Sequence, residues 1–109
     1  MNITQGDIVM VPFPFSNLSS IKTRPALVIS NQHFRGDDVI LVGITSHRSE
    51  YGIPFTPQDL ESGDLPLASY IKVGKVISLE KSIIRSVEAR IAKRKMFDVV
   101  KALSTLIRV

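Results

Sequence analysis

The hydrophobic pattern of this chain changes period once, and that change limits what it can fold into. From Asp7 to Ala92 the apolar residues come in short runs, and Pro, Gly or a polar cluster ends each run at strand length. From Lys95 to Ile107 the spacing turns helical: Met96, Val99, Val100, Leu103, Leu106 and Ile107 share a stripe, with Asp98 and Lys101 facing outward. The runs predict strands at Asp7–Val11, Pro25–Ser30, Val39–Thr45, Ile53–Thr56, Tyr70–Lys81 and Ser86–Ala92. In the last strand Val87, Ala89 and Ile91 are expected to face one way, and Gly74 predicts a bulge or bend in the one before it. The prolines of the PFPF segment, residues 12–15, are expected to stop the first strand, which is then an edge or ends at one. Residues 57–69 read as a long irregular connection. No strand–helix–strand alternation is present, so the expectation is a mainly β fold with a C-terminal α-helix, a small, strongly bent antiparallel sheet or partly open barrel.

At 109 residues, 44% of them hydrophobic, residues 1–109 are expected to form a single domain with one modest core. The chain has no cysteine, which excludes disulfides, thiolate catalysis and cysteine-based zinc sites. Its two histidines, His33 and His47, have no partner at metal-ligand spacing, so neither a metal nor any other cofactor is expected. The start of the sequence has no leader-like segment and no run approaches a membrane span, so a cytoplasmic protein with no membrane partner is expected. The net charge of +4 is unevenly placed. Residues 1–83 carry seven Lys/Arg against eight Asp/Glu, whereas residues 84–109 carry seven against two. A solvated helix face and a nucleic-acid patch account for that excess equally well.

One stretch joins charge to strand. In IKTRPALVIS, residues 21–30, Lys22 and Arg24 stand just ahead of Pro25 and an apolar run. Proline biases the residue before it toward extended backbone, so Arg24 is pinned at a strand mouth. The next strand ends in Thr45 and Ser46, followed by His47 and Arg48. If the two strands are antiparallel neighbours, the start of one lies beside the end of the other, and Arg24 converges on Thr45 and Ser46. A guanidinium fork beside two hydroxyls suits a phosphate.

The segments GDIVMVPFPF, KTRPALVISN, DVILVGITS and LPLASYIKVGKVISLEKS, followed by the terminal helix, resemble in order and spacing the MazF/PemK family of toxin endoribonucleases from type II toxin–antitoxin pairs. The resemblance implies a small SH3-like barrel of the MazF/CcdB type, a homodimer, and metal-independent cleavage of single-stranded RNA at short preferred sequences. It also implies a cognate antitoxin that blocks the RNA groove, with DNA reached only through that antitoxin.

Carried over by position, Arg24 and Thr45 match the family's active-site arginine and threonine, and Ser46 follows as in some members. The implied reaction is attack of a ribose 2′-hydroxyl on its own phosphodiester, leaving a 2′,3′-cyclic phosphate and a 5′-hydroxyl. Arg24 is then the electrostatic stabiliser and Thr45 the positioning group. Substrate-binding roles fall to Ser46, His47, Lys72, Lys22 and Phe15, the last as a base-stacking ring. His47 is also of a residue type suited to acid–base work. The loop of residues 16–23 is expected to shape the RNA site. One branch of the family places Arg-x-Asp in the later strand; here Lys72-Val73-Gly74 keeps the cation and loses the carboxylate. A non-catalytic RNA binder or a gyrase-directed, CcdB-like toxin is the alternative on the same fold.

Overall fold

The computed structural model describes residues 2–13, 22–65 and 69–109, Phe13 by its backbone alone. Seven strands form one curled antiparallel sheet: β1 (Asp7–Phe13), β2 (Lys22–Val28), β3 (Asp38–Thr45), β4 (Gly52–Phe55), β5 (Leu60–Gly63), β6 (Ser69–Glu80) and β7 (Ser86–Ile91). The spatial order is β4-β6-β3-β2-β1-β7-β5. Among the described residues one long helix, α1 (Lys93–Ile107), follows β7.

Because side chains alternate along a strand, the sheet buries residues on both faces. One face carries the larger cluster, built on Ile8, Leu27, Val42, Ile44, Phe55, Ile71, Val73, Ala89 and Ile91, and α1 adds Met96 and Val99 to it. The other face carries Val9, Val11, Ala26, Val28, Val39, Leu41 and Ile84, with Ile77 and Leu79 packed against them. The helix therefore lies on one side of β1–β3, and the opposite side is left for a smaller core.

Several boundaries differ from the sequence-based expectation. β1 runs on through Pro12 and sits between β2 and β7, so it is no edge strand. Its pairing with β7 nevertheless ends at Met10, so the donor that Pro12 lacks has no ladder to serve on that side. β2 starts at Lys22, which places Arg24 within the strand and not ahead of it. The segment expected to be irregular holds a 3-10 turn at Pro57–Asp59 and then β5. A register shift between Ile8 and Val9 leaves Glu88 as an extra residue in β7, so Val87 pairs with Val9 and is 40% exposed instead of joining Ala89 and Ile91. The helix stripe is narrower than its spacing implied, because Val100, Leu106 and Ile107 are exposed while Met96 and Val99 are buried.

The bend foreseen at Gly74 is present. Gly43 pairs with Lys72 and Val42 with Val76, so Val73, Gly74 and Lys75 have no opposite residue on β3. This three-residue bulge splits β6. Its first half pairs with both β4 and the end of β3, and its second half pairs with the start of β3.

Candidate functional site

Pro25 determines where β2 and β3 part. The Ile29 N–H donates to the Ile40 carbonyl at 2.9 Å, which fixes the ladder phase: Ile29, Leu27 and Pro25 are the β2 residues whose nitrogens face β3. Leu27 pairs with Val42 and Ala26 with Gly43, and there the β2–β3 pairing stops. Proline has no N–H to give Ile44, so the next bonded pair cannot form. Both strands continue regardless. β2 runs on to Lys22 against β1, and β3 runs on to Thr45 against β6.

The result is an opening in the ladder between two strands that are each held from outside. Extending the register past Pro25 sets Arg24 opposite Thr45, and Thr45 in turn pairs with Tyr70 on β6. Strand alternation then puts Lys22, Arg24, Thr45, Tyr70 and Lys72 on one face, the face away from α1. Val11, which pairs with Arg24, is fully buried on the same face, so the smaller core forms the floor beside the opening.

Each side chain in this row has a distinct setting. Arg24 and Lys22 are exposed, and Thr45 is half-buried. The His47 N–H donates to the Thr45 Oγ1 at 3.1 Å, so the loop occupies one acceptor position of that hydroxyl and leaves its proton to be donated. Lys72 is half-buried and pairs with Gly43 on one side and Gly52 on the other, so no neighbouring side chain in its row competes for the space above the sheet. Ser46 and the His47 side chain are exposed in the loop beyond β3, and Gly74 is exposed in the bulge just after Lys72.

Of the residues predicted from sequence, Arg24, Thr45, Lys22 and Lys72 come together on this face, with Ser46 and His47 at its rim. Phe15 and most of the 16–23 loop lie outside the described residues. Tyr70 was missed. Its signal was the two-residue spacing to Lys72, which puts both on one face of the same strand. Among the described residues no group of three or more His, Asp or Glu side chains is placed to hold a metal ion, and no helix is long and apolar enough to cross a membrane.

A cavity of about 700 Å³ lies at the other end of β2 and β3 and is lined by Gln5, Ser30, Arg35, Lys81, Arg90 and Lys93 among others. Its wall is a closed network missed in the sequence. Buried Asp7 accepts from the Thr4 N–H at 2.8 Å and from Arg90 at 2.7 Å. Arg90 also donates to Thr4 Oγ1 at 2.8 Å and pairs with Glu61 at 3.1 Å. These groups satisfy one another and hold the chain start against β7.

A family model described as the PemK-like, MazF-like toxin of type II toxin–antitoxin systems matches residues 4–107. No curated protein sequence matches the chain. Among solved structures, an endoribonuclease from a mycobacterial species is similar at 22% identity, TM-score 0.73, over 96% of this chain and 91% of its own. An endoribonuclease in complex with its cognate antitoxin, also mycobacterial, aligns at 19% identity and TM-score 0.74 over 95% and 93% of the two chains. A MazE–MazF structure from Deinococcus radiodurans aligns at 18% identity and TM-score 0.74 over 100% and 98%. At these identities the structural likeness is one of fold, whereas the sequence model covers nearly the whole chain. The chain belongs to the PemK-like, MazF-like toxin family of type II toxin–antitoxin systems.

Proposed function

We propose that this toxin is an endoribonuclease that cuts single-stranded RNA at short preferred sequences without a metal ion or other cofactor, and so inhibits translation and growth. The observation that supports the reading is the β2–β3 register, which, extended past Pro25, brings Arg24 opposite Thr45. A guanidinium presents a rigid fork of donors to two phosphate oxygens. In the reaction the 2′-oxygen bonds to phosphorus as the bond to the 5′-oxygen breaks, the 2′ proton departs, and a proton ends on the 5′-oxygen. Arg24 stabilises the charge that builds on the phosphoryl oxygens, where a preorganised donor is worth about 10²–10³ in rate. Thr45, its hydroxyl oriented by the His47 N–H, donates to the same group or to the attacking ribose.

Lys22 and Lys72 flank this centre on the same face and hold the adjacent phosphates as point charges. Ser46 and the His47 ring line the rim, and Phe15 adds a stacking ring. The active species is a cytoplasmic homodimer. A cognate antitoxin silences it by laying an acidic or apolar segment over Arg24 and the 16–23 loop, excluding RNA by competition. DNA is reached only through that antitoxin.

Gly74 favours a second reading. It stands exposed in the bulge after Lys72, where the related pattern has a carboxylate, and so offers no acid or base. A non-catalytic RNA-binding toxin, or a gyrase-directed, CcdB-like one, would not need that group. Incubating the protein and its Arg24→Ala variant with long single-stranded RNA in EDTA separates the two. Discrete cuts ending in cyclic phosphate, lost in the variant, support the endoribonuclease; RNA retained in a gel shift without new ends supports the binder.

A further inference from the structure

Tyr51 is the one non-glycine among the described residues with a positive φ, at 59°. That is the left-handed region, which bulky side chains avoid because Cβ crowds the following carbonyl. Packing offsets little of that cost, since Tyr51 is 65% exposed. A strained backbone carrying an unburied aromatic is a costly choice for a tight turn, where Gly or Asn would sit without strain.

The turn is fixed tightly from both sides. The Gly52 N–H bonds to the Ser49 carbonyl at 2.9 Å. A Cβ added at Gly52 would stand 2.9 Å from that same carbonyl oxygen and 3.3 Å from Tyr70 Cβ. Gly52 therefore has to be glycine, and the strain is carried by its neighbour. Gly52 also pairs with Lys72. Tyr51 is thus anchored one residue from a backbone that abuts Tyr70 and Lys72, at the end of the loop that begins at Thr45. Both tyrosines of the chain, which has no tryptophan, belong to this corner.

We infer that Tyr51 is a substrate-binding residue whose exposed ring stacks on a base of the RNA where the strand passes Lys72, on the β4 side of the phosphate held by Arg24, and so helps to set which sequences are cut. Resting on the endoribonuclease reading, the inference names a base-contacting group besides Phe15, at the far side of the row whose Arg24 and Thr45 contact the phosphate and ribose. Aromatic faces bind unpaired bases with little demand on hydrogen bonding, and the loss of one such ring weakens binding by about 5- to 150-fold. A turn that fixes the ring in the free protein lowers the ordering cost on binding.

The test uses the full-length protein, Tyr51→Gly and Tyr51→Trp. Cut sites are mapped on one long single-stranded RNA. Affinity is measured on an oligonucleotide spanning a mapped site, with a 2′-deoxy sugar at the scissile position so that it binds without being cut. For Tyr51→Gly the expected result is a melting temperature equal to or above the parent's, about tenfold weaker oligonucleotide binding, and a changed distribution of cuts. Tyr51→Trp is expected to bind within about threefold of the parent. A parent that cuts RNA while Tyr51→Gly binds and cuts as the parent does would overturn the inference and leave the endoribonuclease reading standing. A lower melting temperature with unchanged affinity would make Tyr51 a structural residue and overturn it equally. A folded parent that neither binds nor cuts RNA removes the endoribonuclease reading, and this inference with it.

Discussion

The two ends of the β2–β3 pair are built in opposite ways. At one end Asp7, Arg90, Thr4 and Glu61 close on one another, and Gln5 Nε2 donates to the Ile29 carbonyl at 2.9 Å while Ser30 Oγ accepts from the Ile40 N–H at 3.0 Å. At the other end Pro25 stops the ladder, and Lys22, Arg24 and Thr45 are carried by strands that continue only because β1 and β6 support them. Charges satisfied within the fold serve stability. Charges carried by strands that no longer pair with each other lie, on the endoribonuclease reading, where RNA can reach them. Arg90 thus holds the fold through Asp7, Thr4 and Glu61, whereas the proposed function gives Arg24, on β2, the substrate.

The largest effect should come from the open end. Arg24→Ala is expected to lower RNA cleavage by about 10²–10³, read from initial rates on a defined RNA at enzyme concentrations matched for folded protein. Cleavage within a factor of about three of the parent would erase the contrast. At the closed end, Asp7→Ala removes an acceptor that is 6% exposed and leaves the Arg90 guanidinium without its nearest charge. The expected cost is about 2–3 kcal/mol, or a melting temperature about 10 °C lower. Cleavage per folded molecule should stay at the parent's level. A variant that lost activity in step with Arg24→Ala would mean that the two ends are coupled.

Pro25 itself offers a finer test. Replacing it by alanine restores the N–H that faces Ile44, and the β2–β3 ladder gains the means to close by one more pair. Closure would shift Arg24 relative to Thr45, and displacements on the scale of an ångström are costly in a preorganised site. Pro25→Ala is therefore expected to keep or slightly raise stability while lowering cleavage about tenfold. Hydrogen exchange supplies the mechanism-specific readout, because the amide introduced at that position should be protected if the ladder has extended. An unprotected amide with unchanged cleavage would show that the proline is not what keeps the strands apart.

Much of this was legible in the sequence because it depends on alternation and on special residues. The change of period placed α1, and Gly74 marked the bulge in β6. RPALV followed by GITS was enough to bring Arg24 toward Thr45 once antiparallel neighbours were assumed. What escaped depends on partners remote in sequence. Arg90 and Asp7 lie far apart in the chain, and no local pattern announces that they meet. Pro12 reads as a strand stop unless it is known that β7 no longer pairs beside it. The extra residue at Glu88 turned Val87 to the other face, a one-residue shift to which a period-two reading is blind. Tyr51 could not be singled out, because a positive φ on a tyrosine violates the very propensities from which a sequence is read.

The smallest expected effect concerns the tie between the 3-10 turn and α1. Asp59 caps the turn by accepting from the Thr56 N–H at 3.0 Å, and Arg94 donates to its other oxygen at 2.9 Å. The Thr56 N–H, aided by Arg94 and Lys95, holds its carboxyl below the usual carboxylate range, against the opposing effect of burial. A carboxyl lowered in the folded state adds stability that is present above its unfolded value, about 3.9, and is lost as pH falls through the folded one. Asp59→Asn removes the anion while keeping the shape, and the expected cost is about 1 kcal/mol at neutral pH. Melting curves of parent and variant should therefore differ near pH 7 and draw together as pH falls below the unfolded carboxyl value and through the lowered folded one. A gap that persisted unchanged into acid would place the effect in packing and not in charge. Cleavage should be unaltered throughout the range where both remain folded, because this tie, like the Asp7 network, belongs to the part of the molecule that holds the fold while the Pro25 end is left open.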